Sequence, residues 1–210
     1  MAEEPLKNID VPLVTIYKIG YINKKGVAVP SAERMYDVPL DQVYRYIRGD
    51  GAKRQTLELR EIVNHSEAQK YKALHFYTMT PAGIFSYRNA KSLMRHSKLM
   101  VIDIDGIASH KRLLEIRKML LNDPMFETEL LFISPSGNGL KWIICVGERT
   151  KETHKQCFAV VKRYLEDEYG IIADDSGSDV CRVCYLSYDP LCYINPEFLN
   201  NKVSKIDNLK

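Results

Sequence analysis

Between residues 99 and 187 six segments follow one another as strand, helix, strand, strand, helix and strand, and few folds accommodate that order. Residues 99–104 are an apolar run of strand length. Ser109 stands where a helix N-cap belongs, ahead of a helix to Leu121 that carries Leu113, Ile116 and Leu120 on one face and ends at Asn122-Asp123-Pro124. Residues 129–134 read as a second strand, Ser136-Gly137-Asn138-Gly139 as a turn, and residues 140–146 as a third strand. A helix over residues 151–168 follows, with Phe158, Val161 and Leu165, and also Cys157, Val160 and Tyr164, at helical spacing; Gly170 marks its end. Strand-like segments return at 171–172 and 182–187.

This is the split β-α-β order, ferredoxin- or RRM-like: an α+β core whose antiparallel sheet carries both helices on one face and leaves the other open to a ligand. Upstream, residues 13–19 read as a strand, and 39–48 and 53–63 as helices parted by Gly49-Asp50-Gly51. A short helix at 66–72 and strands at 74–79 and 84–87 complete the first half. The expected division is an α/β extension over 1–72 packed on a core over 73–196, with a tail at 197–210. A chain of 210 residues suffices for one such domain and its extension.

A composition 45% hydrophobic and 27% charged is ordinary for a soluble chain. Residues 1–10 are polar and acidic without an apolar signal core, and no run approaches the roughly 18 apolar residues of a membrane span, so no membrane association and a cytoplasmic location are expected. The net charge of +3 conceals an asymmetry: residues 41–100 carry eleven Lys/Arg against five Asp/Glu, residues 101–210 fourteen against seventeen. That suits a phosphate-rich ligand beside a metal cation, although a solvated helical face gives the same excess. Cys181 and Cys184 form a single C-x-x-C with Cys192 nearby; without a second pair or a histidine beyond His154 the set is incomplete for zinc, and reduced thiols are expected.

Three segments carry chemistry. In Val101-Ile102-Asp103-Ile104-Asp105-Gly106 the i, i+2 spacing puts both carboxylates on one side of a strand, where their repulsion favours a hard divalent cation, Mg²⁺ or Mn²⁺; two aspartates capping a turn are the plainer alternative. In the turn from Ser134 to Gly139, small residues let backbone N–H groups converge on an anion, with Lys141 placed to neutralise a triphosphate; an ordinary tight hairpin is the alternative. Between Asp174 and Asp189 four aspartates offer a third carboxylate, and Arg182 a fork for phosphate; some of these aspartates serve turns.

Together these segments resemble the VirE N-terminal, primase-like domain family, a distant branch of the archaeo-eukaryotic primase superfamily, over roughly residues 55–195. Lys72-Ala73-Leu74, Gly83-Ile84-Phe85, Val-Ile-Asp-Ile-Asp-Gly, Ser-Pro-Ser-Gly-Asn-Gly-Leu-Lys, and Arg182 with Leu-Ser-Tyr-Asp-Pro carry the likeness. The resemblance implies that Asp103 and Asp105 bind the catalytic metals and that Ser134, Ser136, Gly137, Gly139, Lys141 and Arg182 hold a nucleoside triphosphate. Lys141 stands where the superfamily usually has His. A further acid would complete the metal site, with Asp175, Asp179 and Asp189 as contenders: Asp175 is assigned to the metal and Asp189 to catalysis. It also implies a DNA or RNA template followed by Arg60, Lys72, Arg88 and Arg95, work in mobile-element replication, and a helicase-like partner domain.

Two other classes fit parts of the pattern. Asp103-x-Asp105-Gly after an apolar strand is similar to the first motif of haloacid-dehalogenase-type phosphatases, which use a parallel sheet. A non-catalytic module binding single-stranded nucleic acid or a partner would use tyrosines among basic residues, such as Tyr44, Tyr46, Tyr71, Tyr77 and Tyr87, for stacking.

Overall fold

A computed structural model describes residues 11–199; the first ten residues and most of the expected tail lie outside them. The chain begins with β1 (Leu13–Tyr17), a small hairpin of β2 (Tyr21–Ile22) and β3 (Ala28–Val29), and β4 (Arg34–Pro39). Three helices follow, α1 (Leu40–Arg48), α2 (Lys53–Glu61) and α3 (His65–His75). β5 (Thr78–Thr80), β6 (Gly83–Phe85) and β7 (Leu93–His96) lead to β8 (Leu99–Ile104), α4 (His110–Leu121), β9 (Thr128–Ile133) and β10 (Leu140–Cys145). The chain continues through α5 (Lys151–Tyr169) to two short strands, β11 (Cys184–Tyr185) and β12 (Tyr193–Ile194). No helix among the described residues is long and apolar enough to cross a membrane.

Local signals set most of these boundaries. Ser109 Oγ accepts the Arg112 N–H, Thr150 and Thr153 close a capping box on α5, and Gly170 ends α5 in the left-handed region. α3 runs on to His75 and absorbs the start of the strand expected at 74–79. Of the two stripes on α5, Phe158, Val161 and Leu165 are buried while Val160 is 65% exposed. Residues 171–172 join no ladder; Ile171 is simply buried as the chain leaves α5.

The fold is α+β with two antiparallel four-stranded sheets. One has the order β12-β9-β10-β8, so β8 and β9 run parallel with β10 between them, which is the split β-α-β unit. The other has the order β11-β5-β1-β4. Met100, Ile102 and Ile104 of β8 pack with Trp142 against α4 and α5. Leu99 and Val101, on the opposite face, join Leu130, Phe132 and Ile143 against Val14, Ile16 and Met79 of the other sheet and Val43 and Ile47 of α1. The face expected to be open is therefore covered, which explains why β8 and β9 are buried at every position instead of alternating.

The last strand of the split unit is also displaced. β11 pairs with β5 in the other sheet, and the outer edge of β8 is flanked by the short 3-10 turn Asp175–Ser178, whose approach is marked by the Asp174 N–H donating to the Asp103 carbonyl at 2.9 Å. This route carries residues 174–184 past the Asp103 end of β8, from the edge of one sheet to the edge of the other.

At the opposite end of the sheet that holds β8, buried Glu129 accepts a hydrogen bond from Asn195 Nδ2 at 3.0 Å. Burial, reinforced by Glu127 and Glu197, pushes its carboxyl up to about 7. From about pH 4.3, where a free glutamate titrates, up to that value the folded chain holds a proton that the unfolded chain has lost, so stability falls as pH rises. Glu129→Gln is expected to remove this slope, stabilising the protein by about 3 to 4 kcal/mol above about pH 7 and little below about pH 4, as read by urea denaturation across pH.

Candidate functional site

Asp103 is the last position of β8 on the face that carries Leu99 and Val101, and Lys141 stands directly opposite it on β10. Both are buried, at 3% and 8% exposure, and Lys141 Nζ contacts Asp103 Oδ1. Arg182, from the segment that leads to β11, brings Nη2 to 3.5 Å from Asp103 Oδ2. A carboxylate taken so far from water is tolerable only with such partners.

Asp105 follows one residue beyond β8 and leans on the hairpin between β9 and β10. A Cβ placed on Gly139 would lie 2.7 Å from Asp105 Oδ1, 2.7 Å from the Ile104 carbonyl and 3.1 Å from Ser134 Oγ, so this position admits only glycine. Desolvation pushes the Asp105 carboxyl above the usual carboxylate range, and the charges of Asp103 and Asp174 add to it, while Lys141 and Lys72 pull it down. Lys72, on the last turn of α3, is lowered by its own burial and by Lys141; its ammonium lies 5.4 Å from the centre of the Tyr185 ring. The site thus sets Lys72, Lys141 and Arg182 around Asp103 and Asp105.

The hairpin is more closed than a free anion nest. The Ser134 N–H donates to the Gly139 carbonyl at 2.8 Å and the Gly137 N–H to the Ser134 carbonyl at 2.9 Å, so neither amide is available to a phosphate. Ser134 Oγ lies 3.2 Å from Ser136 Oγ, which donates to Asn138 Oδ1 at 2.7 Å. Arg60 reaches over Gly137 and donates to the carbonyls of Pro135 (3.2 Å) and Ser134 (3.4 Å). It braces the hairpin. Of the other basic residues expected along a template, Lys72 joins the site, Arg88 donates to the Pro30 carbonyl at 3.2 Å, and Arg95 lines a cavity at the opposite end of β8 with Glu127 and Glu129.

The expected third acids do not come together with Asp103 and Asp105. Asp175 is exposed and paired with Lys162 of α5. Asp179 accepts the Cys181 N–H at 3.1 Å in a turn. Asp189 is buried with both oxygens taken by backbone, Oδ2 by the Ile133 N–H at 2.9 Å and Oδ1 by the Leu191 N–H at 2.8 Å. The carboxylate whose charge reaches Asp105 is Asp174, itself held low by hydrogen bonds from Ser176. Sequence gave no reason to prefer it, since it sits in a run of Asp and Ser typical of turns. Among the described residues no three His, Cys, Asp or Glu side chains converge as a protein-only metal cage. Mg²⁺ and Mn²⁺ do not need one: they take one or two carboxylates and complete their shell with phosphate oxygens and water, a mode that Asp103 and Asp105 fit once Lys141 leaves Asp103.

The chain belongs to the family described as BT4734-like, N-terminal domain, whose model matches residues 72–194. The likeness to VirE N-terminal domains stays a resemblance. No curated protein matches the chain. Among solved structures, the "Polymerase Domain from Mycobacterium tuberculosis Ligase D in complex with DNA" is similar at 15% identity and a TM-score of 0.39, over 60% of this chain and 52% of that one. The chain thus spans about half of that structure, and at this level of likeness function has to be argued from the residues.

Asp189 offers a direct check on its placement. Asp189→Ala strands the buried Ile133 N–H and frees the part-buried Leu191 N–H, and is expected to lower stability by about 2 kcal/mol in chemical denaturation. Equal stability of variant and parent, with loss of a metal-dependent signal, would instead return Asp189 to the site.

Proposed function

We propose that the domain binds a nucleoside triphosphate with Mg²⁺ or Mn²⁺ at the Asp103 end of β8, beside the β9–β10 hairpin, and transfers the nucleotidyl group to a strand paired with a DNA or RNA template. The observation that supports this reading best is the convergence of Lys72, Lys141 and Arg182 on Asp103 and Asp105 beside the Gly139 hairpin. A purely structural carboxylate needs one cation. Three cations around two acids, one of them with a raised pKa, leave a site whose charge suits an incoming polyanion.

In this reading Lys141 exchanges Asp103 for a phosphate oxygen, and the freed carboxylate joins Asp105 in holding the ion. A bound divalent ion would activate the attacking hydroxyl and screen the leaving pyrophosphate. Arg182 orients phosphate oxygens by its fork, Lys72 supplies charge at the rim, and the exposed Ser136 lies at the hairpin tip within the same region. Replication of a mobile element, together with a helicase-like domain, is the setting that the sequence resemblance suggests.

A second reading, a non-catalytic module that grips nucleic acid or a partner, draws on Lys141 being seated on Asp103 and on the missing third ligand. Its proposed stacking surface is weakened because Tyr44, Tyr46 and Tyr77 pack against the core. The phosphatase reading is disfavoured by the sheet it needs, which is parallel, whereas β8 pairs antiparallel with β10.

The test is calorimetric titration with Mn²⁺ and a nucleoside triphosphate, alongside primer extension. Asp105→Asn is expected to weaken metal-dependent binding by about tenfold or more and Lys141→Met to weaken nucleotide binding to a similar degree. Asp103→Asn is expected to abolish extension. Binding unchanged in both of the first two variants would overturn the proposal, whereas strand binding with no incorporation in any divalent metal would favour the non-catalytic module.

A further inference from the structure

The β2–β3 hairpin is explained by neither sheet nor site. At its base the Gly20 N–H donates to the Ala73 carbonyl at 2.9 Å, and a Cβ at Gly20 would lie 2.4 Å from that oxygen and 2.2 Å from the Val29 carbonyl. Glycine thus clamps the hairpin to the turn of α3 that carries Lys72. At its tip Asn23 Oδ1 accepts the N–H groups of Lys25 (2.9 Å) and Val27 (3.0 Å), closing the turn. This braced ribbon exposes large apolar side chains, Tyr21 at 57%, Val27 at 54%, and Ile19 and Ile22 beside them. Residues 18–29 contain no Asp or Glu. Lys18 is paired with Glu33, but Lys24 and Lys25 are exposed and form no ion pair with a described residue.

The geometry points to this hairpin as the surface that grips the single strand on which the proposed site acts, with Tyr21 and Val27, which share one face of the ribbon, against base faces and Lys24 and Lys25 on phosphates. Protein-docking patches are depleted in lysine, whereas surfaces for single strands combine stacking side chains with positive charge and no acid. Position supports the same occupant. Ala73 adjoins Lys72, whose charge is felt at Asp103 and Asp105, so a strand on the hairpin reaches the site across one turn of α3. The assignment rests on the nucleotidyl-transfer reading for the fate of the strand, but the grip itself needs no chemistry.

The experiment is fluorescence anisotropy of a labelled oligothymidylate over a salt series, with sedimentation of each protein to read its association state. Lys24→Gln with Lys25→Gln is expected to lower the slope of log affinity against log salt by about 1.4, the amount for two single-strand phosphate contacts. Tyr21→Ala is expected to weaken binding about tenfold with the slope unchanged. Both changes lie on exposed side chains. Parental affinity and slope in both hairpin variants would overturn the assignment, as would a change in association state without one in strand affinity, which would mark a protein-docking patch. Strand binding through the hairpin without nucleotide binding would sink only the catalytic reading; extension by a protein with a dispensable hairpin would sink only this one.

Discussion

A carboxylate at the buried end of β8 is the constraint around which this molecule is organised. Asp103 continues the face of Leu99 and Val101, which is apolar and covered, so an unpaired charge there would cost several kcal/mol. Lys141 meets it only because the β9–β10 hairpin sets a register that puts residues 103 and 141 side by side. Gly139 permits that register by letting the Asp105 carboxyl and the Ile104 carbonyl approach closer than any side chain would allow. Arg182 arrives because the chain runs from the edge of β8 across to β5 instead of closing the first sheet.

How much could be read from sequence follows from how local each signal is. β8, α4 and α5 were placed to within a residue or two because Ser109, Gly170 and the helical spacing of Leu113, Ile116 and Leu120 act within one turn. The partner of β11 was not legible, since two adjacent residues pairing with Met79 and Thr78 leave no pattern of their own. The covered second face did leave one: residues 99–102 show no alternation, and a strand without alternation has no solvent side.

The site divides in the same way. That Asp103, Asp105, Gly139 and Lys141 are neighbours is legible because i, i+2 spacing and a short hairpin force them together, whereas Arg182 joins them only through the route of the chain toward β5. The choice among the later aspartates is not legible. Asp174, Asp175, Asp179 and Asp189 look alike in sequence and differ in what reaches them: Asp189 meets two backbone amides, Asp175 a lysine on α5, and Asp174 the charge of Asp105. Lys72 was assigned to a template because helix α3 offers no motif that ties it to residues so far along the chain.

The matched family span begins at residue 72, yet β1, β4 and α1 supply the layer that covers Leu99, Val101, Leu130, Phe132 and Ile143. A protein trimmed to that span would present a wet apolar slab and a β5 lacking its neighbour β1, the exposed-edge arrangement that invites strand-to-strand aggregation. The recognisable part of this sequence is therefore smaller than the part that covers its own apolar faces.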